Sequence, residues 1–323
     1  MALPLLYEYT FDHHFKFGFE PNRYFERRQG PEDIFIASYG RAQFCPLNWR
    51  EANVLAAKEI FHRLPQPLWV LFSGGTDSEA CLRSFSEAKV PVKIASLKLK
   101  KGYNQHDLDY VRKYSDKYSC EVEVIELDIE EFWESREFYR IVDSIECVSP
   151  ILAAHLWLAD QLVGTPILAQ GEPHLKKEID QKAERKLDSW YLVESERLCS
   201  LYTHFIKTKK PAVPGFFQYM PEQTLSFLKN NPLLHDLVNN RIFGKLGTRS
   251  SKNQMVRQFY PEIEERPKFT GFEKISFLHD LKRSELAERF PHSDAIVKID
   301  YEDLLSQLEP LVKKEENKGL LLK

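Results

Sequence analysis

The sequence predicts an α/β protein in which a parallel β-sheet carries helices on both faces. Two observations lead to this prediction. Short apolar runs alternate along the chain with stretches in which apolar residues recur at helical spacing. Strands that alternate with helices need crossover connections, which place the strands parallel to one another. The second observation is a glycine-rich loop that follows one of these apolar runs and leads directly into a helical stretch.

Residues 1–64 are expected to form an N-terminal β-rich segment followed by a helix. The segment contains aromatic-rich alternations, such as that at 33–40, which are typical of strands. Asn48 followed by Glu51 has the pattern of a capping box, and apolar residues then continue at helical spacing. Pro65 ends this helix.

Residues 65–178 contain the predicted parallel sheet. A helix is expected after each of its first three strands, and Ser149 caps the helix that leads to the fourth. The strands are expected at Leu68–Phe72, Val90–Leu97, Val122–Leu127 and Thr165–Gln170.

Residues 179–323 are expected to be mainly helical and to complete the site. A long amphipathic helix is predicted over Ile179–Leu201, and a strand is predicted at Ala295–Ile299. Further helices are predicted at Pro221–Phe227, Leu233–Ile242 and Leu278–Phe290.

The glycine-rich loop has the sequence Ser73-Gly74-Gly75-Thr76-Asp77-Ser78. Glycines let the backbone approach a polyphosphate closely, and the following helix presents unpaired N–H groups to an anion. The two serine hydroxyls add donors, and Asp77 can hold a divalent cation. The loop has no lysine, unlike the Walker phosphate loop.

The pattern Ser-Gly-Gly-X-Asp-Ser resembles the signature of the PP-loop ATP pyrophosphatases, the superfamily of asparagine synthetase, NAD synthetase and several tRNA-modifying enzymes. The resemblance covers the loop and its flanks. It implies a Rossmann-like sheet of the HUP (adenine nucleotide alpha hydrolase-like) type. It also implies that Ser73, Gly74, Gly75, Thr76, Asp77 and Ser78 bind the pyrophosphate of ATP, that Asp77 holds Mg²⁺, and that reaction occurs at the α-phosphorus.

Two further parts of the chain are candidates for the site. Gly171-Glu172 follows the fourth predicted strand and is similar to a Gly-Glu segment of asparagine synthetase, so both residues are predicted to line the nucleotide site. Lys252, Arg266 and Lys268 are predicted catalytic cations, because negative charge accumulates on the departing pyrophosphate. The lysine group Lys207, Lys209 and Lys210 is a candidate phosphate contact or, more simply, solvated charge.

Composition limits the function classes. The chain has 323 residues and a formal net charge of −3, so it lacks the global positive charge of a dedicated nucleic-acid binder. No apolar run approaches the ~20 residues of a membrane span. The five cysteines include no Cys-X-X-Cys pair, which argues against structural zinc and disulfides. A cytoplasmic protein without a membrane partner is expected.

Three functions remain as hypotheses. The first is an asparagine-synthetase-like ligase that forms AMP and pyrophosphate, adenylylates a carboxylate or carbonyl oxygen of a small molecule, and transfers it to an amine donor. The second is a PP-loop enzyme that modifies RNA or a nucleobase, for which the lysine clusters are the support. The third is a nucleotide-binding or structural protein that retains the fold without catalysis.

Overall fold

The computed structural model describes residues 15–21, 23–26, 28–177, 190–231, 248–265, 271–291, 293 and 295–311. Its strands are β1 (Phe15–Phe19), β2 (Arg23–Tyr24), β3 (Phe35–Tyr39), β4 (Leu68–Leu71), β5 (Lys93–Leu99), β6 (Val122–Leu127), β7 (Thr165–Leu168), β8 (Leu175–Lys177), β9 (Trp190–Ser195) and β10 (Ile296–Asp300). Its helices are α1 (Trp49–Arg63), α2 (Thr76–Ala88), α3 (Gln105–Tyr118), α4 (Ile129–Glu134), α5 (Arg136–Ile145), α6 (Pro150–Gln161), α7 (Glu196–Thr208), α8 (Pro221–Lys229), α9 (Thr248–Phe259), α10 (Ser276–Arg289) and α11 (Tyr301–Leu308), and short 3₁₀ turns lie at Lys100–Gly102, Phe216–Gln218 and Phe272–Ile275.

The central sheet has four strands in the order β6-β5-β4-β7, and every neighbouring pair is parallel. The chain leaves β4 for β5 on one side and later returns to the other side of β4 as β7. In register, Leu71 at the end of β4 lies opposite Ala95 of β5 and Leu168 of β7. The loops that follow β4 and β7 therefore diverge from adjacent strand ends, which is where parallel α/β sheets form ligand crevices. The predicted parallel sheet is confirmed.

Helices cover both faces of this sheet, as predicted. Alternate residues along a strand point to opposite faces, and Val70 belongs to one core while its neighbour Leu71 packs toward the other. The first core includes buried residues of α1, α2 and α3, and the second includes buried residues of α4, α5 and α6. Burial on both faces explains why β4 consists entirely of apolar residues.

Several helix starts are set by local capping that the sequence already indicates. Asn48 Oδ1 accepts a hydrogen bond from the backbone N–H of Glu51 at 2.9 Å and caps α1. Ser149 Oγ caps α6 by accepting from the N–H of Leu152 at 3.3 Å. Each cap satisfies one of the backbone donors that a helix leaves unpaired in its first turn.

Two smaller antiparallel sheets, β2-β1-β3 and β10-β9-β8, accompany the central one. The second sheet corrects the prediction of a helix over 179–201, because residues 190–195 form β9 and the helix α7 begins only at Glu196. Leu192 of β9 pairs with Leu175 of β8 and with Ile299 of β10, and it is fully buried. Helical spacing of apolar residues was thus overridden by strand partners that lie far away in the chain. The strand predicted near β10 is confirmed, and the helix predicted over 233–242 lies outside the described residues.

Within the described part of the chain, no single helix is long and apolar enough to cross a membrane, and only α5 with α6, a pair bent by 104°, passes the same test together.

Candidate functional site

A cavity of about 820 Å³ opens at the carboxyl ends of β4 and β7. The loop 73–78 forms one wall, and Gly171 and Glu172 lie on another. The structure thus brings together all eight residues that the sequence proposes for nucleotide binding. Segments 96–107 and 214–218 add further parts of the lining.

Gly74 adopts a backbone conformation that only glycine takes without strain. Its φ angle is +74°, and a Cβ placed on it would lie 3.0 Å from the Tyr110 Cβ and 3.3 Å from the Asp107 carbonyl oxygen. The glycine therefore lets the loop turn and, at the same time, pack against the first turns of α3. The resemblance explains this glycine by its approach to a ligand, whereas the structure adds a packing reason.

The loop presents hydrogen-bond donors toward the cavity. Gly75 is the N-cap of α2 and provides no side-chain cap, and the first helical bond runs from the Glu79 N–H to the Gly75 carbonyl at 3.0 Å. The N–H groups of the preceding turn have no acceptor within the helix. The hydroxyl oxygens of Ser73 and Ser78 lie 3.5 Å apart, and Ser78 Oγ donates a hydrogen bond to the Gly75 carbonyl at 2.9 Å. Such an arrangement is suited to binding an anion, and the helix dipole favours the same charge.

Asp77 is the carboxylate of this loop. Within the described residues, no group of three or more His, Cys, Asp or Glu side chains could hold a metal ion by itself. Mg²⁺ in nucleotide sites is commonly bound by one or two carboxylates together with substrate phosphates. Asp77 lines the cavity, so it would bind Mg²⁺ together with the phosphate oxygens of a bound nucleotide.

The end of β7 also leads into a glycine with a left-handed backbone conformation. Gly171 has a φ angle of +93°, and a Cβ there would come within 2.6 Å of the Gln218 Cβ. Glu172 follows it, is only 8% exposed, and places its Oε1 3.4 Å from His174 Nε2. The turn therefore delivers a nearly buried carboxylate to the cavity beside an imidazole.

Glu194 is a site residue that sequence reasoning missed. It lies in β9, lines the cavity and is 9% exposed. Its Oε1 accepts hydrogen bonds from the Tyr39 hydroxyl and, at 3.5 Å, from Gln218 Nε2. Burial raises the pKa of Glu194 to about 7, the two hydrogen bonds oppose this shift, and the charge of Glu172 adds to it. The strand-favouring run Trp190-Tyr191-Leu192-Val193 was the available signal, but it was absorbed into a predicted helix.

Asp107, in the first turn of α3, is a second titratable group that the sequence did not single out. Burial raises its pKa to about 7, against the effect of a hydrogen bond from Asn104. Asn104 also accepts from the Leu99 N–H and donates to the Leu97 carbonyl, both at 2.8 Å, which holds the end of β5 against α3. This connection shapes the cavity wall formed by the end of β5 and the start of α3.

The charge of the described lining is negative. Its carboxylates are those of Asp77, Asp107, Glu172 and Glu194, and three histidines accompany them. No Lys or Arg occurs among the described residues that line the cavity. The described wall thus offers backbone and hydroxyl donors to phosphates, but no side-chain cation other than a protonated histidine.

The predicted catalytic cations cannot be placed at the cavity. Arg266 and Lys268 lie outside the described residues, and of Lys252 only the backbone, in α9, is described. Its neighbour Asn253 does line the cavity.

Lys210, from the lysine group considered as a phosphate contact, has a structural role. Its ammonium donates to the carbonyls of Ala159, Asp160 and Leu162 at 2.6, 3.2 and 2.7 Å, at the C-terminal end of α6. These are among the carbonyls that a helix leaves without partners in its last turn. Lys210 therefore anchors α7 to α6.

Comparisons with protein-family models and with curated proteins found no match to this chain.

Proposed function

We propose that this chain binds Mg-ATP with the loop Ser73–Ser78 and catalyses attack on the α-phosphorus with release of pyrophosphate. The observation that carries the proposal is the position of the loop. It follows β4 at the point where the strand order β6-β5-β4-β7 reverses, and it opens α2 on the edge of a cavity large enough for a nucleotide and a second small molecule. Membership in the PP-loop superfamily and a HUP-type fold are parts of the same proposal, and the loop pattern supports them.

The loop residues have distinct roles in this proposal. Backbone N–H groups at the start of α2 and the hydroxyls of Ser73 and Ser78 bind the β- and γ-phosphates, and Asp77 is the residue that would hold Mg²⁺. Bound Mg²⁺ neutralises charge on the leaving pyrophosphate. The remaining contribution of the protein is to position the acceptor in line with the α-phosphorus and to exclude water.

The reaction proposed is that of a C–N ligase. A carboxylate oxygen of the acceptor forms a bond to the α-phosphorus while the bond between the α-phosphorus and its bridging oxygen breaks, and pyrophosphate leaves. An amine then attacks the acyl carbon, the C–O bond to AMP breaks, and the amine loses a proton to solvent. The cations Lys252, Arg266 and Lys268 are proposed to stabilise the charge that develops.

The acidic described lining favours a small-molecule acceptor over RNA. Nucleic-acid contacts rest on Lys and Arg at phosphates, and the described residues around the cavity include neither. RNA modification and nucleotide binding without turnover therefore stand as the alternative outcomes of the experiment.

The decisive experiment measures pyrophosphate and AMP release from Mg-ATP with separate pools of small carboxylates, amines and total tRNA. Asp77→Ala is compared with Asp116→Ala, which removes an exposed carboxylate of α3 away from the cavity. We expect release that depends on small carboxylates, persists in Asp116→Ala and falls at least 100-fold in Asp77→Ala, a size set by about 3 kcal/mol for a lost transition-state interaction. Release that depends on tRNA favours RNA modification. Tight Mg-ATP binding without release in any pool favours a binding protein, and no Mg-ATP binding refutes the proposal.

A further inference from the structure

The cavity has an apolar wall that differs in chemistry from the loop 73–78. The helix α2 that follows the loop buries Cys81, Leu82 and Phe85 in the first core, on one face of the central sheet. Six buried side chains of the second core, on the other face, also line the cavity. Together they are named here the apolar wall: Leu97, Leu99, Leu158, Leu168, Leu201 and Phe272.

One face of α6 adds a single polar side chain to this wall. Ile151, His155 and Leu158 line the cavity, and their spacing of four and three residues places them on the same side of the helix. Leu158 belongs to the second core, and Ile151 packs against it. His155 is partly exposed. Its imidazole therefore lies between two apolar side chains at the edge of the cavity.

The His155 imidazole has hydrogen-bonding capacity that the described part of the protein leaves unused. No described residue forms a hydrogen bond or ion pair with this side chain. Burial lowers the pKa of His155 below its ordinary value of 6.5, so the ring is uncharged at neutral pH. A neutral imidazole carries one N–H donor and one nitrogen acceptor. A ligand group beside it can therefore pair with either nitrogen without bringing a charge.

The physical preferences of this surface define the ligand group that fits it. A ligand that covers apolar surface removes that surface from water, which favours binding. A charged group placed against the apolar wall would lose hydration without gaining a countercharge from the wall. Small-molecule pockets are lined mainly by apolar side chains, and a few polar groups fix the orientation of the ligand. His155 is the polar group that α6 supplies here.

We propose that the apolar wall and His155 form a subsite for an uncharged, mainly apolar ligand group that hydrogen-bonds to the His155 imidazole. The base of a nucleotide and an apolar side chain of the acceptor with a ring N–H or hydroxyl group share this chemistry. A charged group of the acceptor then lies elsewhere in the cavity. The subsite deepens the proposed function and rests on it only for the assignment of the group to ATP or to its acceptor.

Small probes test the subsite without turnover. Ligand-observed NMR titrations at neutral pH compare three related ring systems: indole, which has an N–H donor, indene, which has no polar atom, and indole-5-carboxylate, which is charged. We expect the wild-type chain to bind indole about fivefold more tightly than indene, the size of one neutral hydrogen bond, and about tenfold more tightly than the carboxylate. Equal affinity for indole and indene, or binding of the carboxylate as tight as that of indole, overturns the proposal.

Variants locate the binding. His155→Leu removes the hydrogen-bonding atoms and keeps an apolar side chain, so it is expected to abolish the preference for indole over indene while indene still binds. General damage to the fold would instead weaken both probes. His62→Leu makes the same substitution at an exposed position of α1, outside the described lining of the cavity, and is expected to keep the preference. A folded His155→Leu chain that still prefers indole overturns the proposal.

A second variant covers the case in which His155→Leu does not fold. Ile151→Trp fills space in front of the apolar wall from a partly exposed position. It is expected to weaken the binding of indole and of indene alike by about tenfold, or ~1.4 kcal/mol. Wild-type affinity for both probes in a folded Ile151→Trp chain overturns the proposal.

A non-hydrolysable Mg-ATP analogue separates the two sources of the ligand group and the two proposals. Loss of indole binding when the analogue is bound assigns the subsite to the base of the nucleotide, and indole binding beside the analogue assigns it to the acceptor. Indole binding that depends on His155, without binding of the analogue, supports the subsite and refutes the proposed function. Binding of the analogue without a preference for indole refutes the subsite and leaves the proposed function standing.

Discussion

Replacing Gly74 by alanine tests whether the loop is held in place by its packing on α3. Gly102 supplies a matched control, because its φ angle of +67° is similar to the +74° of Gly74, but a Cβ on Gly102 would have no heavy atom within 4 Å. Both substitutions carry the penalty of a left-handed backbone conformation, whereas only Gly74→Ala places a methyl group against Tyr110 and Asp107. The difference in stability and in Mg-ATP affinity between the two variants therefore measures the effect of this contact.

The magnitudes follow from this geometry. A left-handed conformation costs a non-glycine residue about 1–2 kcal/mol, so Gly102→Ala should lower the free energy of unfolding by that amount. Gly74→Ala carries the same penalty, and the new Cβ lies 3.0 Å from the Tyr110 Cβ and 3.3 Å from a backbone oxygen. The loop must then shift by a few tenths of an ångström. A shift of donors that must meet phosphates is expected to weaken Mg-ATP binding by about tenfold, or ~1.4 kcal/mol.

The assay combines chemical denaturation with calorimetric titration of Mg-ATP. We expect both variants to be destabilised, Gly74→Ala more than Gly102→Ala, and only Gly74→Ala to lose ATP affinity. Wild-type ATP affinity in a folded Gly74→Ala chain would refute the prediction that this contact positions the loop 73–78 for ATP binding. Equal loss of affinity in Gly102→Ala would show that the effect does not come from the contact.

Three other predictions use the described geometry. Glu194 has a folded-state pKa of about 7 against an ordinary value of 4.5, so its contribution to stability is complete below about pH 4.5 and is lost as pH rises to about 7. Over this window, the free energy of unfolding of the wild type should change by on the order of 3 kcal/mol more than that of Glu194→Gln. Parallel curves of unfolding free energy against pH would contradict the shift in pKa. Gly171→Ala should lose ~1–2 kcal/mol of stability because of its positive φ angle, and more because the added Cβ lies 2.6 Å from the Gln218 Cβ. A thermal unfolding midpoint equal to that of the wild type would show that the turn relaxes freely. Lys210→Met should lower the free energy of unfolding by about 1–3 kcal/mol, because it leaves helix carbonyls unpaired, and it should leave Mg-ATP affinity unchanged. Loss of Mg-ATP affinity without loss of stability would instead support a phosphate contact by Lys210.

The central sheet and the loop at residues 73–78 were predictable because their signals are local. Glycine at positions 74 and 75, a cap such as Ser149, and apolar runs broken by helical spacing act within a few residues of chain. The alternation of strands and helices then requires parallel pairing. The structure brings all eight residues proposed for nucleotide binding to one cavity.

The position of Glu194 at the cavity depends on contacts that no local pattern encodes. Glu194 reaches the cavity because β9 pairs with β10, about 100 residues away, and with β8 beside the Glu172 turn. The same pairing converted part of a predicted helix into a strand. Lys210, read in the sequence as a phosphate contact or solvated charge, is a helix anchor because α6 ends beside it.

The sequence by itself determined the α/β class, the position of the loop at a strand end and the glycines that the loop needs, since backbone conformation and hydrophobic periodicity are properties of neighbouring residues. The tertiary structure alone decided which carboxylates share a cavity and which cations are structural, because burial, pairing and charge proximity depend on segments that only folding brings together.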